Sequence, residues 1–442
     1  MKKESWVFPV NDFIPLAFQK LHDHLKTSKR LVLTNKDNML FYKKGLYRRI
    51  SPNEVKALIK SFLPVELRNH KNIEEVFYGL KTDFSDIRED EFDSNEDIIN
   101  FKNGILNLLS GKLEPHNPKW FSTIQIPCDY NPLLTLDNAP YFKKFTEDLF
   151  GDDVEARCFV FEYMGAILSN IKGWRFKKLL MLIGVGNTGK TLLLELIQNL
   201  LGKENCVSID FKKMNERFGT APLYGKRLNG VGDLAFVELE EINTIKELTG
   251  GDTLSAEFKG KDSFNFQYNG FIWCNGNRLP YFRGDRGKHV YERFCIVNCD
   301  NAIPPEKRDA KLLEKMLNEK EAIVSVLIEH LINVLPQGYR FTEGESIRIA
   351  RDKYEIENNS LLTFVKECCD LTGETPRPEF NTYYETWCKT NEIRAERDKE
   401  RRQQLLDIFH IEAHKKNGAY IYDLTIREEY KLELGAMKAD FR

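Results

Sequence analysis

The sequence lacks the long hydrophobic runs, the paired cysteines and the charge excess that would each indicate a special class of protein. Its longest apolar stretch, residues 179–185 broken by one glycine, is far shorter than the roughly 20 residues that a membrane helix needs. The nine cysteines are scattered and include no Cys-x-x-Cys pair, which excludes the common zinc and disulfide frameworks. We therefore expect a reduced, cytoplasmic protein without membrane contact. The mixed sequence that follows Met1 predicts no signal peptide.

The charge balance limits the kind of nucleic-acid site that the chain can have. The formal net charge is only −2, so any such site must be a local patch and not a field of the whole molecule. Hydrophobic residues make up 42% and charged residues 30%, which is ordinary for a soluble globular protein. The 442 residues are enough for two to four domains.

Residues 184–191 form a glycine-rich motif that is typical of a phosphate-binding loop (P-loop). The apolar run 178–183 before it predicts a buried parallel strand, and the leucine-rich run 191–201 after it predicts a helix, which is the context that the motif requires. The motif consists of Gly184, Val185, Gly186, Asn187, Thr188, Gly189, Lys190 and Thr191. We expect its backbone N–H groups to bind phosphate oxygens, Lys190 to reach the β- and γ-phosphates, and Thr191 to ligate Mg²⁺. ATP and Mg²⁺ are thus the predicted cofactors.

Two polar positions at predicted strand ends are candidates to complete an ATPase site. Asp233 follows the weak strand pattern of residues 227–231, where an acid would hold Mg²⁺ and the attacking water. A turn aspartate is the alternative. The apolar residues 271–274 lead into an Asn-Gly-Asn sequence that ends at Asn277, and an asparagine there can orient the lytic water or sense the γ-phosphate. Ordinary Asn-Gly turn chemistry is the alternative at this position.

Patterning divides the rest of the chain into smaller units. The predicted domains are residues 1–95, 96–139, 140–350 and 356–442. The first is a small, basic α+β domain with a hairpin at residues 39–50 and a helix after Ser51, and its acidic stretch 83–97 is either a hinge or a solvated face. A long helical stretch is expected at about residues 305–335. The last unit shows three helices followed by a hairpin at residues 411–424, which is a winged-helix pattern.

The order of these motifs resembles that of superfamily-three helicases, and most of all the phage and plasmid primase–helicase family. The resemblance rests on the P-loop, the acidic strand end, residues 249–252 with the hairpin after them, Asn277-Arg278-Leu279-Pro280 and Glu292-Arg293-Phe294. Residues 97–132 are similar to the family's segment before the ATPase. The resemblance covers about residues 95–300 well, the tail moderately and the first ninety residues weakly. Replication proteins of staphylococcal pathogenicity islands have a similar layout.

This resemblance implies an α/β fold with an AAA+-like P-loop ATPase core, a hexameric ring and ATP-driven translocation along DNA. It gives Lys190 and Thr191 the Walker A roles, and it gives Asp233 the Walker B role with Mg²⁺. Asn277 corresponds to the asparagine of the family's Asn-x-Leu-Pro motif.

The resemblance also implies that Arg293 is an arginine finger, which reaches the ATP bound by the neighbouring subunit and stabilises transition-state charge. This sequence departs from the family's pattern at two positions that bear on catalysis. Leu234 stands where the family often has a second acid, and Glu292 stands where it usually has a first arginine.

Two basic segments are candidates for DNA contact. The predicted strands 254–258 and 263–267 flank a turn that carries Lys259 and Lys261, and in the resemblance this hairpin projects into the ring pore and grips phosphates. A solvated turn is the alternative. The arginines and lysines of residues 394–402 alternate with acids, so a salt-bridged helix and a DNA contact are equal alternatives there.

The sequence thus predicts an ATP-dependent DNA helicase that serves replication of a mobile genetic element. The expected partners are single-stranded and double-stranded DNA, further copies of the chain in a ring, and host replication proteins. An origin-binding initiator ATPase is one alternative, and a P-loop nucleotide kinase or regulatory ATPase without DNA is another. Primase chemistry is not expected, because the first 95 residues offer no strand-borne pair of carboxylates with a histidine.

Overall fold

The computed structural model of the protein describes residues 31–34, 38–82, 87–234, 238–239, 241–282 and 287–432, with only the backbone described at residue 238. The first thirty residues of the predicted N-terminal domain lie outside this part of the chain, as do Asp83 and Asp86 of the acidic stretch. None of the helices within these ranges has the length and apolar character to cross a membrane.

A three-stranded antiparallel sheet and two helices form the N-terminal unit. Its elements are β1 (Leu31–Leu33), β2 (Met39–Lys43), β3 (Leu46–Arg49), α1 (Pro52–Phe62) and α2 (His70–Thr82). Lys44 and Gly45 have positive φ angles of 52° and 91°, as the tight turn of a hairpin requires. Ser51 and Glu54 form a reciprocal capping box that starts α1. The predicted hairpin and helix are confirmed.

The acidic stretch that follows is tied to other parts of the chain. The Tyr224 hydroxyl donates a 2.8 Å hydrogen bond to Glu89. Asp93 accepts a backbone N–H at 2.8 Å, and burial raises the pKa of its carboxyl group. The Arg175 guanidinium donates to both oxygens of Glu96 at 2.6 and 2.8 Å. The interpretation of this stretch as a solvated face is therefore wrong for these three carboxylates.

Residues 96–139 add a small antiparallel sheet to the core of the central unit. Its strands are β4 (Ile98–Phe101), β5 (Gly104–Asn107) and β6 (Lys112–Glu114), in that order. The buried side chains of β4 and β5 share one core with three helices. These helices are α3 (Pro140–Phe150), α4 (Val154–Leu168) and α10 (Lys320–Val334). The segment is thus packed as part of the central unit.

A five-stranded parallel sheet lies at the centre of the molecule. Its strands are β7 (Leu179–Ile183), β8 (Cys206–Val207), β9 (Leu228–Leu234), β13 (Phe271–Gly276) and β15 (Phe294–Asn298). The strand order is β15-β7-β13-β9-β8, so β7 lies between β15 and β13. All five residues of β7 are buried, which explains its continuous apolar sequence. The predicted α/β class with a parallel sheet is confirmed.

Helix α5 (Lys190–Leu201) follows β7 and packs closely against the sheet. The close approach depends on Gly230 in β9, where an added Cβ would lie 2.9 Å from the Leu194 side chain. The helix ends at Gly202, which has a φ of 91°. Residues with a side chain rarely adopt this backbone conformation. The predicted strand and helix on either side of residues 184–189 are therefore confirmed.

The expected long helix at residues 305–335 is two helices, α9 (Leu312–Asn318) and α10. The break falls at Glu319, whose carboxylate accepts the backbone N–H groups of Tyr141 and Phe142, both at 3.0 Å. These N–H groups open α3 and have no intrahelical partner, so Glu319 caps another helix at the point where its own chain turns.

A two-stranded hairpin and several short elements complete the central unit. The hairpin consists of β11 (Thr253–Glu257) and β12 (Ser263–Gln267), which confirms the prediction within one residue. The short elements are α6 (Phe211–Met214), β10 (Glu238–Leu239), α7 (Asn243–Gly250), β14 (Tyr281–Phe282) and α8 (Lys288–Tyr291). Strands β10 and β14 pair in parallel.

The C-terminal unit has its own core. It follows α11 (Glu345–Asn358), which crosses the predicted boundary at residues 350–356 and places Tyr354 in the central core. The helices are α12 (Ser360–Cys368), α13 (Arg377–Thr390) and α14 (Asp398–Phe409). The strands are β16 (Cys369–Asp370), β17 (Thr375–Pro376), β18 (His414–Lys416), β19 (Ala419–Tyr422) and β20 (Thr425–Ile426). Three helices and a β18–β19 hairpin thus occur in the predicted order.

Candidate functional site

Several of the predicted site residues lie at one edge of the parallel sheet, where its strands end. Residues 184–189 follow β7, Asp233 is near the end of β9, and Asn277 follows β13. The carboxyl ends of parallel strands meet at the same edge, which is where open α/β sheets bind ligands. The Gly184 N–H donates to the Gly276 carbonyl at 3.2 Å, so the loop after β7 contacts the end of β13 directly. We call this region the carboxyl edge.

Two glycines of the loop occupy positions that exclude a side chain. Gly184 has a φ of 145°, and an added Cβ would lie 2.2 Å from the Cys299 carbonyl oxygen. Gly189 has a φ of 104°, and its Cβ would lie 2.6 Å from the Phe145 ring. At Gly186, by contrast, an added Cβ would meet nothing within 4 Å. The ends of the loop are therefore held tightly, while open space lies beside its middle.

The backbone N–H groups in this loop are available to a ligand. In the part of the chain that the structure describes, residues 186–189 donate no backbone hydrogen bond. Helix α5 begins at Lys190, so its first N–H groups also have no intrahelical partner, and the helix dipole adds partial positive charge there. Consecutive N–H donors at a helix N-terminus beside open space have the chemistry of an anion site.

The Lys190 ammonium lies inside the loop. Its Nζ donates to the carbonyl oxygens of Gly184 at 3.0 Å and Val185 at 2.5 Å, and to the Thr188 hydroxyl at 3.2 Å. The residue is only 7% exposed, and this burial lowers the pKa of its amino group. The negative charge of Asp233 acts in the opposite direction and raises the pKa of the Lys190 amino group. The loop thus concentrates a cation and several N–H donors in one place.

Thr191 contacts the part of β9 that carries Asp233, and the strand is irregular at this point. The pairing of β9 with β13 shifts between Cys274 and Gly276, so that two residues of β9, at 232 and 233, face one residue of β13. Such a bulge redirects side chains. The Thr191 hydroxyl is 3.5 Å from the Gly232 carbonyl oxygen, and both Thr191 and Asp233 are exposed. A hydroxyl and a carboxylate are therefore both exposed at the carboxyl edge.

Two asparagines at the end of β13 have different surroundings. Asn275 is buried, and its amide donates to the Lys190 carbonyl at 2.9 Å and accepts the Trp273 indole N–H at 2.8 Å. Asn277 is exposed and lies just beyond Gly276. The sequence predicts a role for Asn277 and none for Asn275 by itself. A buried amide at an apolar strand end was the available signal, since such groups need partners.

Asp300 is a further charged residue at this edge that the sequence argument missed. An added Cβ at Gly184 would lie 2.8 Å from its carboxylate oxygen, and its charge acts on Lys190. It follows β15 by two residues, directly after Cys299. Its position after the apolar run 294–297 was the signal, because β15 is the neighbour of β7.

Arg293 does not lie at the carboxyl edge. It precedes β15, and its carbonyl accepts the N–H of Leu179, the first residue of β7, at 2.8 Å. A strand of five residues therefore separates it from the loop after β7, roughly 16 Å at about 3.3 Å per residue. The Arg293 guanidinium donates to the Thr249 hydroxyl at 2.8 Å and to the Lys246 carbonyl at 3.3 Å. Arg293 is thus bonded to α7 and distant from residues 184–191 of its own chain.

The hairpin β11–β12 is connected to the same end of the sheet as Arg293, because β12 leads into the first residue of β13. Its turn places Lys259 and Lys261 in solvent, with Gly260 between them at a φ of 76°. Phe264 of β12 contacts Tyr224 with ring centroids 5.1 Å apart, which anchors the hairpin. We call this end of the sheet, opposite the carboxyl edge, the amino edge.

The basic run at residues 394–402 is partly explained by ion pairs. Arg401 is 5% exposed and donates to Glu385 at 2.8 Å. Arg402 lies 3.1 Å from Asp398 on the same helix face. The salt-bridged alternative is therefore correct for these two arginines.

The carboxyl edge has donors suited to magnesium. Within the described ranges, no three His, Cys, Asp or Glu side chains are grouped closely enough to hold a metal ion by themselves. Mg²⁺ does not require such a group, since it is usually held by one or two carboxylates together with water and phosphate oxygens. The Thr191 hydroxyl and the Asp233 carboxylate have this chemistry.

The protein is thus a mixed α/β protein with a central parallel sheet. Its sequence and structure are similar to those of several known proteins. A family model described as "D5 N terminal like" matches residues 22–151, and a family of unknown function, DUF5906, matches residues 182–293. The chain is 24% identical over 329 residues to 121R of Invertebrate iridescent virus 3, and 31% identical over 191 residues to 184R of Invertebrate iridescent virus 6. Both viral proteins are named, provisionally, as helicases.

These matches cover different shares of the two proteins. They span 66% and 39% of this chain but only 34% and 19% of the viral proteins, so the matched part of the chain corresponds to about a third and about a fifth of the length of these relatives. Solved structures of the NrS-1 C-terminal region cover 92% of the chain at 12–13% identity, with TM-scores of 0.46 to 0.48. The sequence matches support the predicted relation to primase–helicases. They do not distinguish superfamily three or a staphylococcal island within it.

Proposed function

We propose that this protein is an ATP-dependent DNA helicase that acts in the replication of a mobile genetic element. The observation that carries the proposal is the loop at residues 184–191. There a buried lysine, a row of backbone N–H donors and a helix N-terminus converge at the end of a central parallel strand. Similarity to viral proteins named as helicases supports a role in DNA replication.

ATP fits the donor set at this edge. Phosphate oxygens would accept hydrogen bonds from the N–H groups of residues 186–189 and from Lys190, in place of the loop carbonyls that now accept from that lysine. Mg²⁺ bound to the Thr191 hydroxyl and near Asp233 would neutralise charge on the phosphates and position the attacking water. Asn277, exposed at the same edge, is suited to orient that water.

A ring of subunits would place Arg293 beside the nucleotide of a neighbouring subunit. The arginine is a strand's length away from its own P-loop, so in this chain it could serve only the nucleotide of a neighbour. A homo-oligomer, most simply a hexamer, would bring the amino edge of one subunit to the carboxyl edge of the next. We include this arrangement in the proposal, with Lys259 and Lys261 facing single-stranded DNA in the pore.

The C-terminal unit fits a winged-helix domain in this proposal. Its three helices precede the hairpin β18–β19, and Lys399 of α14 is exposed. Such a domain would contact duplex DNA ahead of the ring, and host replication proteins would act beside it.

Two measurements test the proposal against its alternatives. Hydrolysis of ATP should rise when single-stranded DNA is added, whereas a nucleotide kinase or a regulatory ATPase without DNA would show no such rise. Displacement of a strand from a tailed duplex, at fixed salt, distinguishes a helicase from an initiator ATPase that only assembles at an origin. An ATPase that DNA does not stimulate and that displaces no strand would contradict the proposal.

A further inference from the structure

Residues 277–282 lead from β13 into β14 and begin with Asn277, which the proposed function gives the task of orienting the attacking water. Residues 277–280 belong to no helix or strand, so contacts from other elements have to fix their position. The sheet fixes the start of the segment, since an added Cβ at Gly276 would lie 3.2 Å from the Leu234 carbonyl oxygen. The contacts farther along the segment therefore influence where the Asn277 side chain lies.

The hydroxyl group of Tyr354 holds the middle of this segment. It donates a hydrogen bond to the Pro280 carbonyl oxygen, and the two oxygen atoms are 2.6 Å apart. Tyr354 lies on α11 and is only 2% exposed, so water does not compete for this bond. Burial raises the pKa of the Tyr354 hydroxyl well above its usual value, which keeps the group protonated and able to donate. Loss of the hydroxyl would leave the Pro280 carbonyl without this partner.

Other contacts of α11 hold the same segment. Asn358 lies one helical turn after Tyr354, and its side-chain oxygen accepts the Phe282 N–H at 3.4 Å. The Phe282 ring meets the Tyr354 ring edge to face, with centroids 6.0 Å apart. Tyr354 also contacts Phe294, the first residue of β15, with ring centroids 5.4 Å apart. The aromatic rings therefore join α11 both to the segment and to the sheet.

Strand pairing extends this support to the segment after β9, the strand that carries Asp233. Leu239 of β10 pairs in parallel with Phe282 of β14. Because β10 follows β9 and β14 follows β13, the two segments that leave the carboxyl edge are joined a few residues beyond Asp233 and Asn277. Leu239, Phe282 and Tyr354 belong to one buried core. Helix α11 thus supports the segments that follow both predicted site residues.

The C-terminal unit contacts the segment as well. Helix α11 continues through Asn359 into α12, the first helix of that unit. The Arg394 guanidinium, which also belongs to the C-terminal unit, lies over the Tyr281 ring at 5.3 Å from its centroid. The position of the segment is therefore set in part by elements that lie outside the parallel sheet.

We propose that Tyr354 is a positioning residue for ATP hydrolysis, which holds the segment after β13 so that Asn277 faces the bound nucleotide. The inference rests on the proposed function and adds to it a residue that touches neither the nucleotide nor the metal. The Tyr354 hydroxyl bonds to Pro280 and not to the phosphate-binding loop. Its loss should therefore slow turnover without weakening nucleotide binding.

Tyr354→Phe is the decisive variant, because it keeps the ring contacts and removes only the hydroxyl. We expect kcat for ATP to fall about 10- to 100-fold, since a misplacement of about 1 Å in a reacting geometry can cost about 100-fold in rate. The equilibrium affinity for a fluorescent ATP analogue should be unchanged. A loss of affinity that accounts for the loss of rate would contradict a positioning role.

Tyr163→Phe is a matched control. The Tyr163 hydroxyl is also buried, and it donates at 2.7 Å to the carbonyl of Ile272, which lies inside β13. Both variants lose one buried tyrosine hydrogen bond to a backbone carbonyl, so urea denaturation should show similar losses of stability. Only Tyr354→Phe should lose turnover. If both variants keep the wild-type kcat, or both lose it equally, Tyr354 has only a structural role and the proposal is overturned.

A double variant tests whether Tyr354 acts through Asn277. Asn277→Ala should slow hydrolysis, and the addition of Tyr354→Phe should slow it no further, because the side chain to be positioned is gone. Losses of rate that multiply, or a normal rate in Asn277→Ala alone, would also overturn the proposal.

The outcomes separate this inference from the proposed function. Wild-type protein that hydrolyses no ATP would refute the proposed function itself. Wild-type protein that hydrolyses ATP, together with full activity of Tyr354→Phe, would refute only the positioning role.

Discussion

At the scale of single residues, the proposed chemistry depends first on Lys190. Its ammonium is buried and held by two loop carbonyls and a hydroxyl, which fixes the charge beside the helix N-terminus. We expect Lys190→Ala to reduce ATP hydrolysis to background, because no other cation would gather the β- and γ-phosphates. A phosphate-release assay decides this, with Lys203→Ala, which changes an exposed lysine just beyond α5, as the control. Turnover near that of the control would remove the P-loop assignment.

Asn275 and Asn277 give a second prediction at this scale. Asn275→Ala should lower the free energy of unfolding by about 1–3 kcal/mol, because it leaves the Trp273 indole and the Lys190 carbonyl without their partner. Asn277→Ala should leave the unfolding free energy unchanged, since its side chain is exposed, yet it should slow hydrolysis. Urea denaturation and turnover, measured on both variants, check the pair. Equal stability of the two variants would contradict the assigned roles.

Only some of the site residues could be predicted from the sequence, because a sequence pattern relates residues that are close together in the chain. The glycine-rich motif is contiguous, so residues 184–191 could be found directly. Asp300 could not be selected in the same way, because its relevance arises only from the pairing of β15 with β7. Arg293 was identified through family resemblance, and its distance from the loop became visible only with the strand order.

At the scale of elements, the strands and helices around the loop follow from the local sequence, and two details do not. The bulge in β9 is defined by the pairing of β9 with β13, so the sequence of β9 alone does not locate it. The split of the expected helix at residues 305–335 depends on Glu319, which caps α3 from 177 and 178 residues away. Periodicity reports which face of an element is buried, but it does not report such long-range contacts.

The hairpin β11–β12 carries the element-scale prediction. We expect Lys259→Ala with Lys261→Ala to keep ATP hydrolysis without DNA unchanged, because neither lysine side chain contacts residues 184–191 in the part of the chain that the structure describes. Binding to single-stranded DNA should weaken, and the slope of log affinity against log salt should fall by about 1.4, about 0.7 for each lost phosphate contact. Fluorescence anisotropy at several salt concentrations measures both quantities.

A charge-matched control is available for this experiment. Lys144→Ala with Lys353→Ala removes two exposed lysines from α3 and α11 and should leave the slope unchanged. If the hairpin variant and this control behave alike, the turn is only a solvated loop.

At the scale of the whole molecule, the loop at residues 184–191 and Arg293 lie at opposite ends of the parallel sheet. The loop at residues 184–191 follows the carboxyl end of β7, whereas Arg293 directly precedes β15 and the hairpin precedes β13. A single subunit therefore keeps its proposed nucleotide site and Arg293 apart, which predicts that hydrolysis is shared between copies.

A mixing experiment tests this sharing. Arg293→Ala subunits keep an intact P-loop, and Lys190→Ala subunits keep an intact arginine. Each should be nearly inactive alone, and arginine fingers contribute about 10³–10⁵ in rate in well-studied systems. Mixed together, they should partly recover hydrolysis, because some interfaces then combine both intact groups.

The intrachain contact of Arg293 supplies the control. Thr249→Val removes the hydroxyl that the guanidinium binds at 2.8 Å but leaves the charge in place. We expect this variant to retain most of its activity. If Thr249→Val is as inactive as Arg293→Ala and mixing restores nothing, Arg293 only holds α7 within its own subunit.

Strand displacement on a duplex with a single-stranded tail is the most direct test of the central claim, that ATP hydrolysis at the carboxyl edge separates DNA strands. The wild-type protein should release the labelled strand only with ATP and Mg²⁺, and not with a non-hydrolysable analogue. Asp233→Ala should still bind nucleotide but release no strand, since it lacks the carboxylate that supports metal and water. Release that is equal with and without hydrolysis, or equal in Asp233→Ala, would contradict the account.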